Sequence, residues 1–248
     1  MRPLLAMLNR LCARYGFDMR SRDSQDLPDI ATWELSLIPT IKVEVSITIR
    51  PALAPESWSL EPIVMVFSLY AGRCYHELRL YRDFYPVMSG YEEDEFLQVL
   101  RFLPAHIRWQ EKLDLDMPTL QGRLDTMTDV EDALTDVFEH YVMPVLNQFD
   151  GPLALAEFQL RAETEFRSTR VTWDEPRYKV VKPYVSTALL LDEAGQTARA
   201  AAFLEQVRED FSRQWAGQDP ARTAPKFGQL DRLLGHLRNK MPAVEPNA

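Results

Sequence analysis

Glycine is scarce in this sequence, with nine in 248 residues at positions 16, 72, 90, 122, 151, 195, 217, 228 and 235. No two lie closer than seven residues. Loops that cradle phosphate need clustered glycines, so that backbone can approach the anion at a helix N-terminus. Neither a P-loop nor a dinucleotide fingerprint can be assembled here. Cysteine is scarcer still: Cys12 and Cys74 supply no disulfide framework and no metal quartet, and they suit a reducing compartment. The four histidines, His76, His106, His140 and His236, make no pair at a ligand spacing. No G-x-S-x-G elbow is present. Apolar runs fall well short of the roughly 18–20 residues of a membrane span. Leu4–Leu8 is apolar but is cut at once by Asn9-Arg10, which does not suit a signal peptide. The expectation is a soluble, cytoplasmic protein with no cofactor.

Positive charge is scarce in one quarter of the chain. The net charge is −9. Residues 1–91 carry ten acids and ten bases, and residues 151–248 carry thirteen acids and fourteen bases. Residues 92–150 carry fourteen acids and four bases, so the whole imbalance sits there. Such a field repels nucleic acid and attracts basic partners. The richest basic stretch, Arg161 to Lys182, is interleaved with Glu163, Glu165, Asp174 and Glu175, so no basic face for nucleic acid emerges.

What is present is a strong strand signal. Ile41, Val43, Val45, Ile47 and Ile49 alternate with Lys42, Glu44, Ser46 and Thr48, the pattern of a strand with one face buried and one wet. Before it, Trp33, Leu35 and Leu37 alternate with Glu34 and Ser36, and Pro39-Thr40 makes a turn. Ile63 to Tyr70 is more continuously apolar and reads as a strand covered on both faces. Ala71-Gly72-Arg73 reads as a hairpin turn into a fourth strand, Cys74 to Leu80. Ile107 to Leu115 fits either a fifth strand or an irregular crossing.

Helical spacing governs the rest. Residues 3–15 form an amphipathic helix on Leu4, Leu8, Leu11 and Tyr15, stopped by Gly16. Residues 18–29 read as a loop. Glu92 to Leu103 places Phe96, Leu97, Val99, Leu100 and Leu103 on one helical side. Thr128-Asp129-Val130-Glu131 has the form of a capping box. After it, Leu134, Val137, Phe138 and Tyr141 make an apolar stripe, and Pro144 predicts a kink or an end. Pro152 suits the first turn of the next helix, which runs to about Phe166. Lys182 or Pro183 to Glu193 and Thr197 to Ser212 form a helical hairpin broken at Gly195, with Tyr184, Ala188 and Leu191 on one side of its first helix. It is similar to a single tetratricopeptide-type unit, without the further copies that a solenoid needs. Phe227 to Leu237 is the last helix, and residues 241–248 are expected to be a disordered tail.

The fold class is therefore α+β: an antiparallel meander of four or five strands packed by helices, then a mostly helical C-terminal half. The division expected is 1–127 and 128–240, sharing one core.

Few residue patterns carry chemistry. Asp114-x-Asp116 is similar to the acidic pair that holds a divalent ion in some sugar transferases. Cys12 and Cys74 read as packing residues. The carboxylates Glu92, Glu93 and Glu95, and the set Asp129, Asp132, Asp136 and Glu139, lie opposite apolar stripes, where water keeps them ionised. They read as a surface for a partner, not as an active site.

The element order, with YVMPVLNQFDGPLALAEF and LLLDEAGQTARAAAFLEQV, resembles a group of bacterial proteins that pair a curved sheet with a helical C-terminal half. Tyr141, Pro144, Phe149 and the alanine-rich hairpin carry the match. Some of that group look like cytoplasmic immunity proteins. The resemblance implies a non-enzymatic module that neutralises a basic toxin, such as a nuclease, through the acidic residues named above, with neither nucleic acid nor membrane as partner. Two competing readings are an enzyme, with metal-dependent or other hydrolytic chemistry near His76, Asp114 and Asp116, and an adaptor using the helical hairpin.

Overall fold

The computed structural model describes residues 2–19, 30–51, 58–80, 96–102, 127–168 and 182–241. The fold is α+β, with a five-stranded antiparallel sheet in the order β1 (Asp18–Met19), β2 (Ile30–Ile38), β3 (Ile41–Pro51), β4 (Trp58–Ser68) and β5 (Leu97–Phe102). The helices are α1 (Arg2–Arg14), α2 (Leu69–Glu77), α3 (Met127–Val137), a π-helical turn (Phe138–Val142), α4 (Met143–Leu146), α5 (Pro152–Ser168), α6 (Lys182–Glu193), α7 (Thr197–Gln214) and α8 (Pro220–Lys240). The chain divides into two compact units, Met1–Phe67 with Leu100–Asp150, and Ser68–Val99 with Gly151–Ala248. This division does not coincide with the one expected at 127/128.

In the first unit, β3 is the middle strand, and its β-branched face is dry: Ile41, Val43, Val45 and Ile47 are all buried. The β2–β3 hairpin closes from Ile38 opposite Ile41, with an irregularity between Ser36 and Ile38. The other face of β3 is not wet, as the alternation had suggested, because Glu44 and Ser46 are also buried. Register explains how it is kept polar. Glu34 lies directly across from Glu44, and Thr32 across from Ser46. Lys42 Nζ stands 3.1 Å from both Glu34 Oε2 and Glu44 Oε1, and the Thr32 and Ser46 hydroxyls are 3.0 Å apart. Like charges facing each other across strands repel, so the lysine is what makes this pairing tolerable. Helix α1 buries Met7, Leu8, Leu11 and Cys12, and its Asn9 Oδ1 accepts from the fully buried Trp33 Nε1 at 2.9 Å. Burial pushes the Cys12 thiol up to about 12, which keeps it a packing residue at neutral pH.

Three elements differ in kind from the sequence reading. Ala71-Gly72-Arg73 is no hairpin turn, and Cys74 to Leu80 no strand: both belong to α2 and its C-terminal turn. The alternation of Cys74, His76, Leu78 and Leu80 also contains the pairs 74/78 and 76/80, four apart, so it is compatible with a helix. Ser68, buried, caps it by accepting from Ala71 N–H at 3.0 Å. Residues 97–102 form β5 rather than part of a helix. Asp18–Met19, within the expected loop, pairs with Trp33–Glu34 as a short edge strand. Residues 107–115 and 242–248 lie outside the described residues.

The second unit is built around α6. Every residue from Val185 to Asp192 is buried, so this helix is enclosed on all sides rather than amphipathic. Each fully buried leucine in Leu189–Leu191 contributes about 2 kcal/mol. Helices α2, α5, α7 and α8 pack against it. Tyr184, Phe211, Trp215 and Phe227 form a run of ring contacts between 4.3 and 5.5 Å.

Three helices end in the same way. At α1, Phe17 N–H reaches Cys12 C=O and Gly16 N–H reaches Ala13 C=O; at α6, Gln196 reaches Leu191 and Gly195 reaches Asp192. Both ends turn on a glycine with φ of +82° or +76°. At α2, Leu80 reaches Tyr75 and Arg79 reaches His76, and the left-handed position, φ +50°, is held by Arg79.

Candidate functional site

The acidic helix begins at Met127, so Thr128 lies inside it rather than capping it. Glu131 does not close a capping box. It faces α1, with Arg10 at 3.8 Å and Arg14 at 3.5 Å. The neighbouring acids face water. Asp132, Asp136 and Glu139 are exposed. Asp129 lies in the same helix, while Glu92, Glu93 and Glu95 lie outside the described residues.

Pro144 stands in the last turn of the helix, which ends at Leu146, close to where the proline predicted a kink or an end. The proline lacks an N–H, and its ring would clash with the carbonyl four residues back in a regular helix. The chain widens just before it: Met143 N–H bonds to Phe138 C=O, five residues back, across the π turn. That turn is anchored by Phe138, fully buried, which stacks on Tyr15 at 5.0 Å and meets Phe17 edge-on at 6.1 Å. Tyr15 Oη donates to Glu139 Oε1 at 3.3 Å, and His140 Nδ1 lies 3.0 Å from Asp136 Oδ1. Burial, then the Glu139 charge, raises the Tyr15 phenol above its usual value. The wide turn thus fixes where Glu139 emerges.

A second cluster, which the sequence reading missed, lies in the second unit. Asp192 sits at the C-terminal end of α6, where the helix dipole disfavours an anion. Its side chain is 2% exposed. Three elements supply what it needs. Lys240 Nζ donates to Asp192 Oδ2 at 2.6 Å, Thr197 Oγ1 donates to Oδ1 at 2.7 Å, and Tyr70 Oη also donates to Oδ2. Lys240 Nζ donates as well to Tyr70 Oη, at 2.7 Å, and lies over the Tyr70 ring. Burial alone would raise the Asp192 carboxyl, but the bonds from Lys240, Tyr70 and Thr197 together hold it below the usual range. Burial and the bond to Asp192 push the Tyr70 phenol well above its ordinary value. Beside it, Ser68 Oγ donates to Glu193 Oε2 at 3.1 Å. The readable signal was the pair Asp192-Glu193 just before Gly195, two acids in a last turn where bases are preferred.

His76 is half-buried within α2, and Asp114 and Asp116 lie outside the described residues. Among the described residues, no group of three or more His, Cys, Asp or Glu could hold a metal ion, and no helix is long and apolar enough to cross a membrane. The buried Asp192 cluster has a lysine, two hydroxyls and a carboxylate satisfying one another, so it works as a lock between helices. Comparison of the chain with protein-family models, curated proteins and solved structures finds no match.

Proposed function

We propose that this chain is a non-enzymatic protein-binding module, an immunity protein whose acidic helix docks a basic toxin such as a nuclease. One observation carries this reading: α3 and the π turn sort their acids into two groups. Glu131 is half-buried against Arg10 and Arg14, whereas Asp132, Asp136 and Glu139 are exposed, with Asp136 beside His140 and Glu139 accepting from Tyr15. Asp129 precedes Asp132 by three residues on the same helix. Glu92, Glu93 and Glu95 would extend the acidic field. Such a face raises association rate and excludes acidic competitors more than it adds raw affinity.

The test uses the product of the neighbouring open reading frame as partner. Co-expression should relieve any toxicity of that product, and the purified pair should associate. Replacing Asp129, Asp132, Asp136 and Glu139 by lysine should slow association by about tenfold or more at low salt, with the difference shrinking as salt rises. An unchanged association rate would place the interface elsewhere.

A further inference from the structure

The last turn of α8 holds a histidine without a counterpart. Lys240 ends the helix, bound to Asp192 and Tyr70. His236 sits one turn earlier, and its Nε2 is buried with no hydrogen-bond partner. A neutral imidazole can leave one acceptor nitrogen dry at modest cost. A protonated one donates from both nitrogens, and a charged donor with nothing to receive it is expensive. The charged groups that act on it come from three helices: Lys240 on α8 itself, Asp192 on α6 and Glu77 on α2. On the α7 side, Arg238 is taken up by Glu205 at 2.7 Å and Asp231 by Arg208 at 2.6 Å.

The opposing influences do not cancel. Asp192 and Glu77 favour a charged ring, but burial first and Lys240 second outweigh them, and His236 is held below the ordinary histidine value. A base kept neutral in the closed form stabilises it fully above the ordinary value, near 6.5. That contribution is lost as pH falls through the lower one. Asp192 is held below the carboxylate range and stays ionised, and burial raises the Cys74 thiol, which stays neutral.

We infer that the last turn of α8 is an acid-released latch, in which protonation of His236, whose Nε2 is buried without a partner, drives Lys240 off Asp192 and Tyr70 and frees the helix end from α2 and α6. The inference is independent of the acidic face on α3. Amide hydrogen exchange of the full chain tests it, comparing residues 236–241 with the middle of α7 at about pH 7.5 and about pH 5.5, after correction for intrinsic rates. The opening constant of the last turn should rise by about tenfold on acidification while α7 holds, the scale of one pH unit in a single titrating group. His236→Gln should abolish the rise, and Lys240→Met should open the turn at both pH values. A rise that persists unchanged in His236→Gln, or no rise in the wild type, overturns the latch. A resonance titration of His236 in the unmodified chain supplies an independent check, and a midpoint at or above the ordinary histidine value also overturns it.

Discussion

Glu44 in the first unit and Asp192 in the second are both buried carboxylates served by one lysine, and the two units arrive there by different routes. In the sheet, the register forces Glu34 and Glu44 into the same place, and Lys42 answers a repulsion that strand pairing created. Lysine and both carboxylates lie on neighbouring strands of a single hairpin. In the helical unit, Asp192 is brought to Lys240 from 48 residues away in sequence, and to Tyr70 from 122. The first arrangement is local and neutralises a conflict between neighbours. The second is remote and pins together the ends of α2, α6 and α8. A buried ionic group of the second kind reports on whether the whole unit is assembled; one of the first kind reports on a hairpin.

The largest effect should come from removing the remote acid. Asp192→Ala leaves Lys240, Tyr70 and Thr197 without their shared acceptor, and should lower stability in a urea titration by about 3–5 kcal/mol. The same substitution should flatten the acid limb of stability. A carboxyl with a depressed folded value adds stability above its unfolded value, near 3.8, and loses it as pH falls through the folded one. Wild type should therefore lose its advantage over the variant in strong acid. Next in size is Lys42→Met, which leaves Glu34 and Glu44 facing each other and should cost about 2 kcal/mol, with Glu44→Gln in the same chain recovering most of the loss. Equal effects from Asp192→Ala and Lys42→Met would erase the distinction between remote and local clusters. The smallest effects concern helix ends. Gly195→Ala has open space around its added methyl but a φ of +76°, and should destabilise by about 1 kcal/mol. Arg79→Gly, at φ +50°, should do the reverse by a similar or smaller amount, as thermal melts can read.

The parts of the fold visible in sequence are those fixed by neighbours along the chain. Ile41–Ile49, the Pro39-Thr40 turn, Gly16, Pro152 and Gly195 each carry their own stereochemistry, and each stands as expected. Leu69–Glu77 and Leu97–Phe102 do not, because a short apolar pattern fits both periods and tertiary surroundings decide between them. The candidate surface was legible for Asp132, Asp136 and Glu139, whose phase on a helix is a local matter. Asp192 was missed because nothing near it in sequence names Tyr70 or Lys240. The burial of Glu44 was missed for a related reason: alternation tells which residues share a face, not whether that face is covered.

The π turn at Phe138–Val142 has a consequence for chain length. In a regular helix, losing one residue rotates everything beyond it by about 100° and carries the buried positions off their face. Here the helix already holds one residue more per turn than its neighbours need, between a buried Phe138 and the buried Val145, Leu146 and Phe149. A shortening by one inside this turn would draw it into ordinary pitch and leave the flanking core in phase. It would also return Pro144 to the ring clash that the wide turn relieves. The molecule thus keeps its one spare residue where a proline makes it useful.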